Sequence, residues 1–271
     1  MRFLYLLPLL VSAPALAQDG FHLIEVPENY RLVWHDEFDG NQLDSTAWSH
    51  EIHPKGWANN ELQTYVDGFR DGINVTEVAD GVLTIRAYKQ GDDVYSARLN
   101  AKVKEGWQYG IFEARIKLPK GRGTWPAFWM KPVHGRYSWP KCGEIDIMEE
   151  VGYRPDYTTS AIHCGAYNHT KSNQKAAEIH TEGVEDDFHV YRLEWTPDSI
   201  TTSVDGRRVL KYTNDGQSDY MTWPFERPFY IILNLAWGGS WGGMEGTDDT
   251  ALPAEMKVDY VRVFQKSDYA K

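Results

Sequence analysis

The chain has 271 residues and a formal net charge of −11 at pH 7. This length allows a sizeable core, and an all-β chain of this size often forms a single domain. The acidic charge argues against nucleic-acid binding, which needs a basic surface, and it is compatible with a neutral ligand. Aromatic residues make up 14% of the chain, which fits either a large β core or a sugar-binding cleft.

The N-terminal residues have the features of a signal peptide. Arg2 is followed by an apolar run at residues 3–11, and residues 15–17 form an A-x-A cleavage site. The apolar run is too short to span a membrane, and the absence of a nearby cysteine gives no indication of a lipid anchor. We therefore predict residues 1–17 as the signal peptide of an exported protein, which would be secreted, periplasmic or at the cell surface.

The rest of the chain consists mainly of short runs typical of β-strands. In residues 82–88 and 109–118, apolar and polar side chains alternate, as in a strand with one buried face. Asp205-Gly206 is a hairpin signal, and no stretch favours a helix longer than a turn or two. The pattern predicts an all-β sandwich or jelly roll, with one domain over residues 20–266. The predicted strands are residues 30–35, 82–88, 95–103, 109–118, 159–164, 190–195, 200–204, 208–212, 229–236 and 256–265.

The stretch GEIDIMEEVG at residues 143–152 places four carboxylates among apolar residues. In a regular strand Glu144 and Asp146 share one face, whereas Glu149 joins them only if the strand contains one extra residue. We therefore predict a β-bulge at residues 147–148, a feature found beside active sites. Three acids in a row suit a retaining glycosidase, whose nucleophile and proton shuttle lie about 5–5.5 Å apart. A calcium site or a solvated acidic strand would also fit.

Other segments hold more polar and aromatic residues than a plain core requires. Asn59 and Asn60 lie in a predicted loop, where they could bind sugar hydroxyls or form an Asx turn. Arg98 would be a hydroxyl donor on the concave face of the sheet and a solvated charge on the convex face. Trp125 and Trp129 could stack on sugar rings or fill the core.

Further candidates follow the acidic stretch. His163 comes one hairpin later, which would bring it near Asp146 in a supporting role. Residues 234–243 are predicted to be a strand that ends in a glycine-rich cleft rim. Export would permit a disulfide between Cys142 and Cys164, although their expected side-chain directions disfavour it, and their spacing does not indicate a zinc site.

Eight motifs occur along the chain in order, at residues 34–38, 59–63, 109–115, 125–130, 143–152, 187–191, 234–239 and 258–263. With these motifs the chain resembles glycoside hydrolase family 16, and within it the laminarinase-like β-glucanases. The resemblance extends from about residue 30 to about residue 265. It implies a β-jelly roll with a concave substrate cleft and retaining endo-hydrolysis of β-1,3-glucan, mixed-linkage β-1,3/1,4-glucan or both.

The resemblance also implies roles for individual residues. Glu144 corresponds to the nucleophile, Asp146 to an assisting acid and Glu149 to the general acid/base. No cofactor is implied for catalysis, but many family members hold a structural calcium ion through oxygen ligands. The implied substrate-binding residues are Asn59 or Asn60, Arg98, Trp125, Trp129, His163 and Trp237. The implied calcium ligands are Glu37, the backbone carbonyl of Gly81, and Asp259.

Two alternatives stay open beside the β-glucanase. One is a galactan-type hydrolase of the same fold, although a sulfated polymer would favour a basic cleft. The other is a non-catalytic carbohydrate-binding jelly roll, which would be expected to lack Glu144 or Glu149. In each case we expect a monomer that binds a polysaccharide, has no membrane span and uses the insertion at residues 167–174 to shape one end of the cleft.

Overall fold

The structure, a computed structural model, describes residues 25–101 and 105–269. The predicted signal peptide at residues 1–17 lies outside this part of the chain. The described residues form nineteen strands, one α-helix of four residues, α1 (Gly239–Gly242), and two short 3₁₀ helices (His169–Lys171 and Asp249–Ala251). None of these helices is long and apolar enough to cross a membrane. The strands are β1 (Tyr30–Asp36), β2 (Ser49–His50), β3 (Gln63–Tyr65), β4 (Phe69–Arg70), β5 (Ile73–Asn74), β6 (Thr76–Ala79), β7 (Val82–Gln90), β8 (Asp93–Ser96), β9 (Arg98–Ala101), β10 (Gly110–Lys117), β11 (Thr124–Pro132), β12 (Glu144–Glu149), β13 (Tyr157–His163), β14 (Lys175–His180), β15 (His189–Trp195), β16 (Ser199–Val204), β17 (Arg207–Thr213), β18 (Phe229–Trp237) and β19 (Ala254–Lys266).

Two large sheets contain all strands except the β4–β5 hairpin. The outer sheet has the order β17-β16-β15-β10-β19-β7-β8-β3, with β1 paired to β19 and β6 to β7. The second sheet, here called the cleft sheet, has the order β14-β13-β12-β11-β18-β9-β2. Because successive strand residues face opposite sides, alternate residues such as Phe112 and Ile116 of β10 and Phe128 and Met130 of β11 form a buried core. The predicted all-β sandwich is confirmed.

The predicted hairpin at Asp205-Gly206 is also confirmed. These two residues connect β16 to β17 and have φ values of 48° and 76°. Two-residue hairpin turns of type I′ need positive φ at both central positions, which Asp and Gly tolerate. The turn therefore sets the register in which Val204 pairs with Arg207.

One predicted strand is divided between the two sheets. We predicted a single strand at residues 95–103 with Ser96, Arg98 and Asn100 on one face. Ser96 instead ends β8 of the outer sheet, and Arg98 begins β9 of the cleft sheet. Arg98 and Asn100 do share a face, but Ser96 belongs to another layer. The chain crosses between sheets at Ala97, and side-chain alternation does not reveal such a crossing.

The two cysteines are free. Cys164 follows β13 and lies in the core, where it is fully buried, and Cys142 is buried just before β12. Burial raises the pKa of both thiols, which disfavours the reactive thiolate. His163 faces the cleft and Cys164 the core, which is the side-chain arrangement that disfavoured a disulfide.

Candidate active site

A β-bulge brings three carboxylates of β12 onto one face. These are Glu144, Asp146 and Glu149, called here the acidic triad. Residues 147–148 lie opposite the single residue Phe128 of β11 and opposite the single residue Ser160 of β13. Both bulge residues are buried, so the strand resumes its alternation one residue late. The predicted bulge is confirmed, and the triad faces away from the core.

The acidic triad lines a cleft of about 770 Å³ on the exposed side of the cleft sheet. Strands β9, β11, β12, β13 and β18 all contribute side chains to it. The predicted residues that border this cleft are Asn59, Arg98, Trp125, Trp129 and His163, together with the triad. A neutral polymer would therefore meet aromatic, amide and acidic groups along one surface.

Burial is the main influence on the acidity of the triad. It raises the pKa of Glu144 to about 7, with a further increase from Asp146 and opposing effects of His163 and Lys131. Burial likewise raises the pKa of Asp146 and of Glu149, and the charge of Asp146 adds to the increase at Glu149. Loss of water around the carboxyl groups thus contributes more than the neighbouring charges do. Burial therefore favours the protonated form of each carboxyl group of the triad.

His163 bridges the triad and the insertion that follows β13. It pairs with Glu144 across the sheet, and its Nε2 lies 3.2 Å from Oδ2 of Asp146. The backbone N–H of His169 donates to Nδ1 of His163 at 3.3 Å, which places the imidazole proton on Nε2, toward Asp146. The predicted proximity of His163 to Asp146 is confirmed. His169 and Gln174 also border the cleft, so the 167–174 insertion forms part of its wall.

The two tryptophans of β11 lie in the cleft and contact different partners. The indole N–H of Trp125 donates to Oε1 of Glu149 at 3.0 Å, so this residue acts directly on a triad carboxyl group. Trp129 donates to Oδ1 of Asn234 at 2.7 Å, and the guanidinium of Arg98 lies 4.6 Å from its ring centre. Both tryptophans are half-buried, and neither serves as core filling.

Arg98 lies on the cleft side and is not a solvated charge. Its Nε donates to Oε2 of Glu51 at 2.5 Å, and its guanidinium lies between the rings of Trp57 and Trp129. Glu51 also accepts a hydrogen bond from Asn100 at 3.1 Å. The arginine is therefore held rigidly by its neighbours while it borders the cleft.

The two candidate asparagines differ in position. Both have positive φ, 49° for Asn59 and 55° for Asn60, as expected for a turn. Asn59 borders the cleft and donates from Nδ2 to Oε1 of Glu61 at 3.1 Å. Asn60 lies outside the main cleft and donates to Oγ of Ser240 at 2.9 Å. The structure thus favours Asn59 over Asn60 as a substrate-binding residue.

Comparison with known proteins assigns this cleft to a family. The sequence model of glycosyl hydrolases family 16 matches residues 70–262. The chain belongs to glycoside hydrolase family 16. A β-glucanase of Rhodothermus marinus is 42% identical over 97% of this chain and 94% of its own length. The protein is accordingly a glycoside hydrolase.

Solved structures of family 16 enzymes have the same fold. A laminarinase from Rhodothermus marinus superposes with a TM-score of 0.82 at 42% identity, covering 87% of this chain and 97% of its own. A non-specific endo-β-1,3(4)-glucanase of family 16 superposes with a TM-score of 0.83 at 40% identity, covering 90% and 94%. The predicted jelly-roll sandwich is therefore confirmed.

The prediction that Trp237 lines the cleft of this family 16 enzyme is wrong. On β18, Asn234 and Ala236 face the cleft, so the regular alternation turns Trp237 toward the interior, where it is 1% exposed. Its ring packs beside Gly123, where an added Cβ would lie 3.0 Å away. Trp241, in α1 after β18, borders the cleft instead.

Several cleft residues were not singled out from the sequence. Lys131 lies on β11 two residues after Trp129, so strand alternation alone could have identified it. Trp139 borders the cleft and, like Lys131, lowers the pKa of Glu144. Glu61 and Glu51 hold neighbouring cleft residues in place, and no local pattern in the sequence indicates those contacts.

The two carboxylates among the calcium ligands implied by the family 16 resemblance are engaged in ion pairs. Arg262 binds both carboxylate oxygens of Glu37, at 2.9 and 2.6 Å. Arg115 donates to Oδ2 of Asp259 at 2.7 Å. As arranged, these groups do not fit a calcium ion, because guanidinium groups occupy the carboxylates and would repel a cation. A calcium ion held by Glu37, Gly81 and Asp259 stays a prediction from the resemblance.

One other group of side chains could hold a metal ion. Within the described residues, only Glu144, Asp146 and His163 bring three such ligand atoms to within 4.8 Å of one another. Carboxylate and imidazole groups suit several divalent metals. A cation bound there would occupy the carboxylate expected to attack the substrate, so this cluster fits the glycosidase chemistry and not a resident metal.

Proposed function

We propose that this protein is an endo-acting β-glucanase that hydrolyses β-1,3-glucan, mixed-linkage β-1,3/1,4-glucan or both, with retention of configuration. The acidic triad on one face of a bulged strand, within an aromatic cleft, is the observation that carries this proposal. The names of its relatives, β-glucanase and laminarinase, support it. The glucan would lie across the cleft sheet with its rings against Trp125 and Trp129.

In the first step Glu144 attacks the anomeric carbon of the bound sugar. The glycosidic C–O bond breaks as Glu149 gives its proton to the leaving oxygen, and a covalent glycosyl-enzyme forms on Glu144. Burial favours the protonated form of Glu149, which suits the acid role. Glu144 must be ionised to attack, and its pKa of about 7 allows this near neutral pH.

In the second step water replaces Glu144 at the anomeric carbon. Glu149, now ionised, takes a proton from the incoming water, and the bond between the sugar and Glu144 breaks. Two displacements at one carbon restore the original configuration. Asp146 assists from between them, since its charge raises the pKa of Glu149 and so favours the proton that Glu149 gives.

Product analysis on three polysaccharides tests the proposed function. Laminarin, barley mixed-linkage glucan and a β-1,4-glucan would be incubated with the protein, and the released oligosaccharides would be separated by size. We expect a series of oligosaccharides from laminarin, barley glucan or both, and none from the β-1,4-glucan. The ratio of the first two rates gives the linkage preference. No release from any of them would contradict the proposal and favour a galactan hydrolase or a binding module.

We also propose that the enzyme is exported, as residues 1–17 predict. A polysaccharide too large to enter a cell must be cleaved outside the cytoplasm, which supports an exported enzyme. N-terminal sequencing of the protein recovered from its native host tests this. A mature chain that begins at or near Gln18 is expected, and an intact N-terminus in the cytoplasmic fraction would contradict it.

A further inference from the structure

A relay of hydrogen bonds connects Trp129, on the floor of the cleft formed by the cleft sheet, to Asn59, in the loop that forms one wall. The indole N–H of Trp129, on the floor, donates to Oδ1 of Asn234 at 2.7 Å, and Nδ2 of Asn234 donates to the hydroxyl of Tyr65 at 3.1 Å. That hydroxyl donates to Oε2 of Glu61 at 3.3 Å. On the wall, Nδ2 of Asn59 donates to Oε1 of Glu61 at 3.1 Å. Glu61 is therefore the acceptor on which both branches end.

The direction of the relay depends on Glu61 being a carboxylate. An ionised carboxylate only accepts hydrogen bonds, so each neighbour must present a donor to it. Gln63 does so as well, from Nε2 at 2.7 Å. Burial, followed by the charge of Glu61, raises the pKa of Tyr65 well above its usual value, so its hydroxyl keeps the proton that it donates.

Each amide in the relay consequently has one orientation. Asn234 must turn its oxygen to Trp129 and its nitrogen to Tyr65. Asn59 must turn its nitrogen to Glu61, which leaves its side-chain oxygen to accept a hydrogen bond from the cleft. Sugar hydroxyls are donors of this kind. The surface offered to a glucan is thus set by a buried residue that lies behind it.

The loop that carries Asn59 is also packed closely against α1. The backbone N–H of Ser240 donates to the carbonyl of Asn59 at 2.6 Å. A Cβ at Gly239, whose φ is 80°, would lie 2.9 Å from that carbonyl and 3.1 Å from Cγ of Glu61. The segment that carries Asn59 and Glu61 is therefore packed against α1, and Glu61 itself is 9% exposed.

We propose that Glu61 is a positioning residue for the glucan. It fixes the orientation of Asn59, so that this side chain accepts a hydrogen bond from a sugar hydroxyl, and through Tyr65 and Asn234 it fixes the indole plane of Trp129. The inference rests on the proposed glucanase function and assigns no chemical step to Glu61. Its effect falls on substrate binding, because the ends of the relay, Asn59 and Trp129, border the cleft and no residue of the relay bonds to the acidic triad.

The test uses Glu61→Gln, which keeps the shape of the side chain but replaces one acceptor with a donor. The new amide nitrogen replaces either Oε1, which accepts from Asn59, or Oε2, which accepts from Gln63 and Tyr65, so at least one bond of the relay is lost. We expect KM on laminarin to rise about tenfold, the cost of one hydrogen bond to a charged group, with kcat within about threefold of wild type. Glu150→Gln is the control, since it introduces the same amide at a buried glutamate outside the relay.

A double-mutant cycle separates positioning from simple stabilisation. If Glu61 acts through Asn59, the fold-increase in KM of the double variant will be smaller than the product of the fold-increases of Glu61→Gln and Asn59→Ala. A fold-increase equal to that product, or a wild-type KM in Glu61→Gln, would overturn the proposal. Should Glu61→Gln fail to fold, Tyr65→Phe carries the test, because it removes the hydroxyl that joins Asn234 to Glu61 and leaves the bond from Asn59 to Glu61 in place; an unchanged KM there would likewise overturn the proposal. Wild-type enzyme without activity on any glucan would instead refute the proposed function.

Discussion

Glu149 and Glu150 are adjacent in the chain and differ in almost everything except a raised pKa. Glu149 faces the cleft, where it accepts a hydrogen bond from Trp125 and lies beside Asp146. Glu150 faces the interior and is 1% exposed. It accepts one hydrogen bond, from the backbone N–H of Asp156 at 3.0 Å. Burial, with a contribution from Glu185, raises its pKa to about 9.

The difference shows that a raised pKa marks burial and does not by itself mark a catalytic group. Water loss raises the pKa of both carboxyl groups, yet only Glu149 lies where a substrate can reach it. Glu149 differs from Glu150 because it shares its face of β12 with Glu144 and Asp146 and because that face lines an open cleft. Three predictions test this distinction, and a fourth tests the ion pairs of Glu37 and Asp259.

Loss of a catalytic carboxyl group should have the largest effect. Glu144→Gln removes the nucleophile and Glu149→Gln removes the proton shuttle, so each should lower kcat on laminarin by at least about 10³-fold. Both variants should still bind laminarin oligosaccharides in calorimetry, since neither change alters the aromatic surface. Glu150→Gln should keep a wild-type rate. Equal losses at positions 149 and 150 would remove the distinction between them.

The indole of Trp125 should tune the acid/base residue. Its hydrogen bond favours the ionised form of Glu149 and lowers the pKa of that group, so Trp125→Phe should raise this pKa. The basic limb of the kcat/KM profile should then move to higher pH, with a loss in rate of about tenfold. Trp241→Phe changes a neighbouring tryptophan of the cleft that makes no hydrogen bond to Glu149. The basic limb of its kcat/KM profile should coincide with that of wild type.

Glu150 should affect how stability changes with pH. Its pKa is about 9 in the folded protein and about 4.3 in an unfolded chain, so the folded state binds this proton more tightly. The free energy of unfolding therefore falls as pH rises between these values. Glu150→Gln lacks this contribution, and its Tm should fall less than that of wild type between about pH 6 and about pH 9. Parallel curves in thermal melts would show that Glu150 does not titrate in this range.

Removal of calcium should have the smallest effect. Because Arg262 and Arg115 occupy Glu37 and Asp259, we expect a chelator to shift Tm by less than about 2 °C. A saturating structural ion would contribute about 2.7 kcal/mol, which corresponds to a shift of several degrees. A larger fall in Tm that added calcium reverses, and that is absent in Asp259→Asn, would show that the family-based prediction is right. The carboxylates of Glu37 and Asp259 would then bind calcium in place of the arginines.

Regular alternation explains which parts of the site could be read from the sequence. The spacing of Glu144, Asp146 and Glu149 fits one face only with an added residue, and the bulge at residues 147–148 supplies it. The same reasoning applied to β18 would have placed Trp237 in the core. Trp237 was placed in the cleft because the family resemblance implied it, and the alternation of the strand was not applied to it.

Long-range contacts explain what the sequence could not show. Asn234 and Tyr65 are 169 residues apart, yet they share a hydrogen bond in the Glu61 relay. The crossing between sheets at Ala97 follows from the path of the whole chain and leaves no mark on local alternation. Depth of burial, the main cause of the raised pKa at Glu144, likewise emerges only when both sheets are assembled.

The most direct test of the account is to identify the carboxylate that bonds to the sugar. A β-glucoside with fluorine at carbon 2 and a good leaving group slows the second displacement, so the covalent intermediate can be isolated, digested and located by mass spectrometry. We predict one added sugar on the peptide that contains residues 144–149, attached at Glu144 and lost in Glu144→Gln. Attachment at Glu149 or Glu150, or hydrolysis with inverted products and no adduct, would contradict the assignment of Glu144 as nucleophile.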